Sequence, residues 1–434
     1  MPTKSSNSVQ HARGQTIAEK LLSRAANHAV HAGDLVICQP DAAMGTDGSI
    51  PMALQYFRTM QDDGGLPPPA FPERLVFALD HYGASSGERA LVLQETARDF
   101  ARKAGICVFE VGEGIGHQLM LERGRVLPGQ LVVGADSHAV SYGALNAFGS
   151  GIGSSDLAGI FQCGQIWLKV PASIRIVLHG RLPHYASAKD VALTLARRLG
   201  AGGANYCALE FAGPGVATLD IDDRIVLANM SVEMGAKAGI FPHDQATDAW
   251  LASRTSTAYV PAAADADAEY EQIIEVNLDD IVPQVALPHR VDNVTDVADS
   301  AGTRIDIVYL GTCTGGRLKD YREALDVLCA GRGIADGVRL IVTPASREIQ
   351  RELERSGMAE SFRRLGAEFQ EPGCGSCCGT CGAIPGDGQK VLSTANRNFK
   401  GRMGNREAEI FLASPRICAQ AALTGRLEDM ERTQ

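Results

Sequence analysis

No stretch of the 434-residue chain reaches the ~18 consecutive apolar residues that a membrane-spanning helix needs. The amino terminus, MPTKSSNSVQHARG, is polar and has no apolar h-region. It therefore does not read as a secretory signal, and residues 1–13 are expected to form a flexible tail. Basic residues are in deficit: 41 Lys and Arg against 51 Asp and Glu leave a formal net charge of -10. That balance speaks against a broad nucleic-acid face. Cysteines are few for the length and odd in number, 11 in all. A disulfide framework belongs to short secreted chains, so metal or cluster ligation is the leading reading for clustered cysteines in what reads as a cytoplasmic protein. The dinucleotide fingerprint G-x-G-x-x-G, the phosphate loop G-x-x-x-x-G-K-[ST] and the zinc motif H-E-x-x-H are all missing, and no internal repeat is found.

What is present suits a large soluble protein. Apolar residues make up 45% and charged residues 21%, and the length suggests about three domains. Short apolar runs at 74–80, 106–112, 130–136, 174–180, 304–311 and 338–346 read as buried strands. Segments 16–29, 87–105 and 188–200 combine good helix formers with a 3.6-residue apolar period. Their alternation predicts an α/β fold of mainly parallel sheets covered by helices. Composition shifts near GAGGANY (200–206). It shifts again over 257–300, whose Ala, Asp and Pro content has the texture of a surface connection. The expected organisation is an α/β domain over 14–202, a second over 203–300 ending in the 257–300 linker, and a third over 301–434.

Ligands of parallel sheets bind beyond the carboxyl ends of strands. The strand at 74–80 ends in Asp80 and runs into His81. The strand at 130–136 ends in Asp136, followed by Ser137 and His138. The strand at 304–311 leads to Cys313, and 106–112 leads through GEGIG to His117. A carboxylate beside an imidazole can orient the ring and hold its proton ready. GEGIG (112–116) and GSGIGSSD (149–156) read as tight turns. RIVLANMSVEMGAKAG (224–239) reads as the start of a helix carrying Asn229 and Glu233 on one face; alone, such a pair is by default structural. STANRNFKGRMG offers Asn396, Arg397 and Arg402. Arginine forks bind carboxylates, although an isolated Arg more often makes a structural salt bridge. EPGCGSCCGTCG places Cys374, Cys377, Cys378 and Cys381 within eight residues.

The segments AMGTDGSIPMA, ALDH, GHQ, VGADSHAVSYGAL, NMSVEMGAKAG, GTCTGGR, PGCGSCCG and NRNFKGRMG, in this order, resemble the aconitase superfamily. Within it they are most similar to large subunits of the isopropylmalate dehydratase kind, over nearly the whole chain from about Arg13. The resemblance implies three αβα domains around a central [4Fe–4S] cluster with one open iron. The fourth, swivel domain would come from a separate small subunit, together with a serine base and further arginines. Cys313, Cys374 and Cys377 would be the ligands, leaving one iron free as a Lewis acid. His81, oriented by Asp80, would protonate a leaving hydroxyl. His117, Asp136 and His138 would line the water side, with Glu233 and Asn229 near the open iron. Ser137, Arg397 and Arg402 would bind substrate, with Asn396 close to the cluster.

The activity so implied is a hydro-lyase acting on a hydroxy-dicarboxylic acid. The foremost candidate is the isomerisation of 3-isopropylmalate and 2-isopropylmalate in leucine biosynthesis. Homoaconitase, a methyl-substituted malate dehydratase and aconitase are the alternatives, and a non-catalytic cluster-sensing or RNA-binding regulator is a distant one. The sequence also departs from the family. Cys378 and Cys381 are extra and raise the alternative of a four-cysteine zinc site. Adjacent Cys377 and Cys378 do not readily point the same way, however, and zinc would leave Cys313 unexplained. Gly315 stands where the family commonly has Asn, which is expected to loosen one hydrogen bond near the cluster. Pro51 stands where aconitase proper uses a polar substrate contact, which tilts against citrate.

Overall fold

The computed structural model describes residues 13–62, 64–83, 86–331 and 333–430. Of the tail expected over 1–13, residues 1–12 lie outside the described residues. No helix among the described residues is long and apolar enough to cross a membrane.

The fold is α/β with mainly parallel sheets. The first sheet runs, in spatial order, Cys107–Phe109, Leu75–Ala78, Ala42–Thr46, Leu131–Gly134 and Phe148–Gly151, all parallel. The chain enters at the central strand Ala42–Thr46, steps outward twice, then reverses to Leu131–Gly134. That reversal leaves a crevice beyond the carboxyl ends of those two strands. A seven-stranded sheet repeats the device. Its order is Val294–Asp296, Gln284–Ala286, Glu409–Ala413, Lys390–Ser393, Ile307–Leu310, Arg339–Val342 and Glu368–Phe369. Here the parallel part enters at Ile307–Leu310 and reverses to Lys390–Ser393, leaving a second crevice. A parallel four-stranded sheet holds Ala238–Ile240, Cys207–Ala212, Ala172–His179 and Gln272–Asn277.

Both faces of the first sheet are covered, so Leu75–Ala78 and Leu131–Gly134 are buried at every position and read as unbroken apolar runs. One continuous apolar core reaches these three sheets, through Met44 and Val132, Ile176 and Leu209, and Ile307 and Val391. The helices begin and end where their chemistry dictates. Thr16 caps Ile17–Ala26 in a reciprocal box with Glu19, and Ser187 caps Ala188–Leu199 with Asp190. Gly105, at φ 72, ends Glu88–Ala104.

Several expectations are corrected. The helix read as starting within 224–239 already starts at Ile221, because Asp220 and Asp223 form a capping box. It ends at Met230, and a 3₁₀ turn, Ser231–Met234, follows. Asn229 and Glu233 therefore sit on two elements, not on one helical face. GSGIGSSD is not a turn throughout: Phe148–Gly151 is a strand, and the helix Ser154–Cys163 follows it. Its glycines serve close packing, since a Cβ at Gly149 would lie 2.4 Å from Ala139 O. GEGIG does turn, and Gly114 (φ 142) bridges to Ser346 of the third unit. The stretch 257–300 connects units, but it also supplies strands. Gln272–Asn277 joins the four-stranded sheet, while Gln284–Ala286 and Val294–Asp296 join the seven-stranded one. The four-stranded sheet also spans GAGGANY, since Ala172–His179 pairs with Cys207–Ala212 across it.

Candidate active site

Three carboxylates stand at the strand ends of the first crevice: Asp47 after Ala42–Thr46, Asp80 after Leu75–Ala78, and Asp136 after Leu131–Gly134. His81 spans them. Its backbone N–H donates to Asp47 Oδ1 at 3.1 Å, its Nδ1 lies 2.8 Å from Asp80 Oδ1, and its Nε2 lies 3.5 Å from Asp136 Oδ2. Asp80 is anchored by the Gly116 N–H, which donates to Oδ2 at 2.7 Å. Only glycine allows that approach, because a Cβ at Gly116 would lie 2.6 Å from Ala78 Cβ. Asp136 Oδ1 lies 2.7 Å from His117 Nε2 and accepts the His138 backbone N–H at 2.8 Å. His138 Nε2 continues to Glu233 Oε1 at 3.0 Å, where Arg397 Nε also donates, at 2.7 Å.

This network sets the charges. Burial alone would lower the His81 pKa. The charge of Asp80, with hydrogen bonds to Asp136 and Asp80, overcomes it and holds His81 well above the usual imidazole range. Burial alone would raise the Asp136 pKa, but hydrogen bonds to His117, His138 and His81 hold it well below the usual carboxylate range. Asp47 differs: burial, then the nearby Asp80 charge, raises it. It acts as a clamp for the His81 and Tyr82 backbone N–H groups.

The second crevice brings thiols to the first. Cys313 follows Ile307–Leu310, just past Thr312, which is held at φ 74. Its Sγ accepts from Asn229 Nδ2 at 3.1 Å and from Asn396 Nδ2 at 3.2 Å. Cys377 Sγ lies 3.8 Å from Asn396 Oδ1 and accepts from Arg402 Nη2 at 3.5 Å, and Cys374 Sγ lies 3.8 Å from Asp80 Oδ2. All three are free thiols. Burial, with the Cys377 thiol nearby, raises Cys313 to about 12, and burial, with the Asp80 charge and then neighbouring thiols, raises Cys374 well above the ordinary range. Buried thiols crowded so, with amide and guanidinium donors aimed at sulfur, suit thiolate ligands of an electropositive centre. The donor set thus fits an iron–sulfur cluster held by Cys313, Cys374 and Cys377.

It does not fit a zinc ion held by 374–381. Zinc–sulfur bonds of about 2.3 Å require sulfurs about 3.8 Å apart. Among the described residues, only Asp80, His81 and Cys374 bring three ligand atoms within 4.8 Å of one another. Cys378 and Cys381 turn instead to the carbonyl of His81.

Of the residues singled out in the sequence, Asp80, His81, His117, Asp136, His138, Asn229, Glu233, Cys313, Cys374, Cys377, Asn396, Arg397 and Arg402 are linked by these contacts. Ser137 borders a different cleft of about 600 Å³, with Gly151, Trp167, Tyr206 and Lys237. Arg402 also lies over the Phe399 ring, 5.6 Å from its centroid. Gly315 is more than a missing side chain: a Cβ there would lie 2.2 Å from Thr394 Cβ. Thr394 fills that space and accepts the Gly311 N–H at 3.0 Å, so its hydroxyl braces the Cys313 loop. Pro51 lies in the first turn of Ile50–Thr59, where proline is tolerated.

Four residues were missed in the sequence. Asp47 obeys the same strand-end rule, but Ala42–Thr46 contains Gly and Met and does not look like a strand. Tyr142, whose OH lies 3.2 Å from His117 Nδ1, and Ser141, which accepts from Asn229 Nδ2 at 2.8 Å, are turned inward by the 3₁₀ segment Ser137–Leu145. Lys189 is buried beneath the second crevice. Its Nζ donates to Thr314 Oγ1 at 3.1 Å, Thr394 O at 2.8 Å and Ala395 O at 2.7 Å. Burial lowers its pKa to about 8 against the pull of nearby acidic groups. The signal for it is a lysine three and four residues before Ala192 and Leu193, on the buried face of its helix.

The family model of the Aconitase family (aconitate hydratase) matches residues 19–425. The chain is 43% identical over 422 residues to the 3-isopropylmalate dehydratase large subunit 1 of Thermotoga maritima, covering 96% of this chain and 99% of the relative. It is 42% identical to the probable 3-isopropylmalate dehydratase large subunit of Methanothermobacter thermautotrophicus, covering 94% and 97%. It is 40% identical to the homoaconitase large subunit of Thermus thermophilus, covering 97% and 98%. Among solved structures, aconitase X of Thermococcus kodakaraensis in its holo-form aligns over 83% of this chain and 84% of its own, with a TM-score of 0.48 at 14% identity.

Proposed function

The chain belongs to the aconitase family of hydro-lyases, and on that premise we propose that it is the catalytic large subunit of an enzyme interconverting 3-isopropylmalate and 2-isopropylmalate. A [4Fe–4S] cluster would be held by Cys313, Cys374 and Cys377. The observation that carries this reading is the meeting of two switch-point crevices. One holds a histidine between two carboxylates, and the other presents three thiols, two of them with nitrogen donors aimed at sulfur. The relatives are named as large subunits, which implies a small-subunit partner. The base that removes the carbon-bound proton is assigned to that partner.

Elimination of water requires a proton on the leaving hydroxyl. His81 supplies it. Asp80 fixes Nδ1, so Nε2 is the end that faces the reacting hydroxyl, and Asp136, 3.5 Å from Nε2, steadies the charged form. A general acid contributes about 10²–10⁴-fold. The cluster, when bound, would polarise the same hydroxyl and a carboxylate through its open iron. Asp136, His117 and His138 form the polar wall that holds the released water for re-addition. Arg397 commits its Nε to Glu233 and meets a substrate carboxylate with its other N–H groups, as does Arg402.

A second reading, homoaconitase, is favoured by the Thermus thermophilus relative, which is almost as similar as the dehydratases. One experiment separates them. The chain is purified without oxygen together with its small subunit, and hydration of 2-isopropylmaleate is compared with that of homoaconitate. Higher kcat/KM on isopropylmaleate is expected, and the reverse ratio selects the second reading. About four irons and four sulfides per chain are expected. One zinc and no sulfide would sink the cluster and the dehydratase reading with it.

A further inference from the structure

The cysteine-rich stretch contains two thiols that the cluster reading does not use. Cys378 ends the 3₁₀ turn Gly375–Cys378, and Gly379, at φ 72, reverses the chain so that Cys381 returns beside it. A Cβ at Gly379 would lie 2.5 Å from Gly404 N and 2.8 Å from Arg402 O, so only glycine allows this reversal. Both thiols reach the same two acceptors. Cys378 Sγ lies 3.4 Å from His81 O and 3.6 Å from Gly375 O; Cys381 Sγ lies 3.7 Å and 3.4 Å from the same oxygens. The two sulfurs are thus held against the same pair of carbonyl oxygens, at the spacing of a C-x-x-C pair. Neither is sealed from solvent. Both are half-buried, and Cys381 borders an open cavity of about 350 Å³ with Tyr82, Gly83 and Glu371.

We propose that Cys378 and Cys381 form a redox-modification site, a C-x-x-C dithiol that hydrogen peroxide converts into an intrachain disulfide and a dithiol reductant restores. The Cys381 thiolate attacks one peroxide oxygen and breaks the O–O bond. Hydroxide leaves and takes a proton to become water, and Cys381 becomes a sulfenic acid. The Cys378 thiolate then attacks that sulfur, forming the S–S bond and expelling a second hydroxide, which also becomes water. Two electrons pass from the sulfurs to the peroxide, and the two thiol protons end in the two waters. Oxidation removes the thiol protons within reach of the His81 carbonyl, which keeps the Thr380 hydroxyl. The oxidation state is thereby reported to the backbone of the residue assigned as acid, while Cys374 and Cys377 are not consumed.

The test uses the full chain purified without oxygen, with iron and sulfide contents recorded. It is exposed to a small excess of hydrogen peroxide, alkylated, digested and analysed by mass spectrometry. The expected product is a peptide linked between Cys378 and Cys381, lighter by two hydrogens, unalkylated at both and reopened by dithiothreitol. Cys381→Ser and Cys378→Ser should each abolish the link. Free, alkylatable Cys378 and Cys381 after other thiols have been oxidised would overturn the proposal, as would a link between Cys374 and Cys377 instead. The effect on turnover rests on the proposed function: dithiothreitol without added iron should restore part of the lost activity, and that part should vanish in Cys381→Ser. The disulfide map stands apart from it, because a link formed in a sample without dehydratase activity upholds this site and counts only against the function.

Discussion

Replacing Asp80 by asparagine would leave His81 a hydrogen-bonding neighbour and remove the charge that raises its pKa. The acid form of His81 would then be lost at lower pH, so the alkaline limb of the kcat profile should move toward acid. Stability should follow the same sign. His81 is raised in the folded state, so its contribution is complete below its unfolded pKa of about 6.5 and fades as pH rises through the folded value. Urea unfolding should therefore find Asp80→Asn most destabilised below pH ~6.5, with the gap narrowing in alkali. A gap that widened in alkali would refute the assignment of His81 as a half-buried cation. His81→Ala should lower kcat by about 10²–10⁴-fold with the iron content unchanged; intact turnover would end its role as the acid. At this scale the sequence was legible where a polar residue ends an obviously apolar strand, as at Asp80 and Asp136. It was silent where the strand is disguised, as at Asp47, and spoke only through helical spacing where a charged residue is buried inside a helix, as at Lys189.

Elements set the aim of these residues. The Cys313 loop owes its path to Thr394, whose side chain occupies the space beside Gly315. Gly315→Ala forces two Cβ atoms to 2.2 Å unless the loop moves. Overpacking of this kind costs about 1–3 kcal/mol, and thermal unfolding together with a reduced iron content should reveal it. The helix Ile221–Met230 delivers Asn229 to Cys313 from its last turn, and its start is set by Asp220. Asp220→Ala should cost about 0.5–2 kcal/mol in urea unfolding. That start was readable in principle, because Asp220 and Asp223 have capping-box spacing. Its end was harder to read. Only the glycine at 235, held at φ 92, marks the 3₁₀ turn that places Glu233 beside His138 and Arg397.

Across the whole molecule, the alternation of strands and helices announced parallel sheets, and those are present. The seams were not readable, because the chain interleaves its sheets: residues 272–296 serve two of them in turn. No apolar period records which sheet a strand will join. Lys189 is the clearest product of this interleaving, an ammonium from the helix Ala188–Leu199 closing the floor under loops that come more than 100 positions later. Lys189→Met would strand the Ala395 carbonyl at about 1–3 kcal/mol, while Thr394 O keeps the Thr314 hydroxyl. A lower melting temperature and poorer iron retention are the expected outcomes. The same lysine bears on how such a protein is made. Chains emerge amino end first, so Lys189 and Asn229 are already in place when Cys313 leaves the ribosome, and Cys374 to Arg402 come almost last. Two of the three proposed cluster cysteines, Cys374 and Cys377, are thus missing from any product that stops short of them. A cell that halts translation before the final sixty or so codons therefore makes a fragment with one of the three proposed cluster thiols, Cys313.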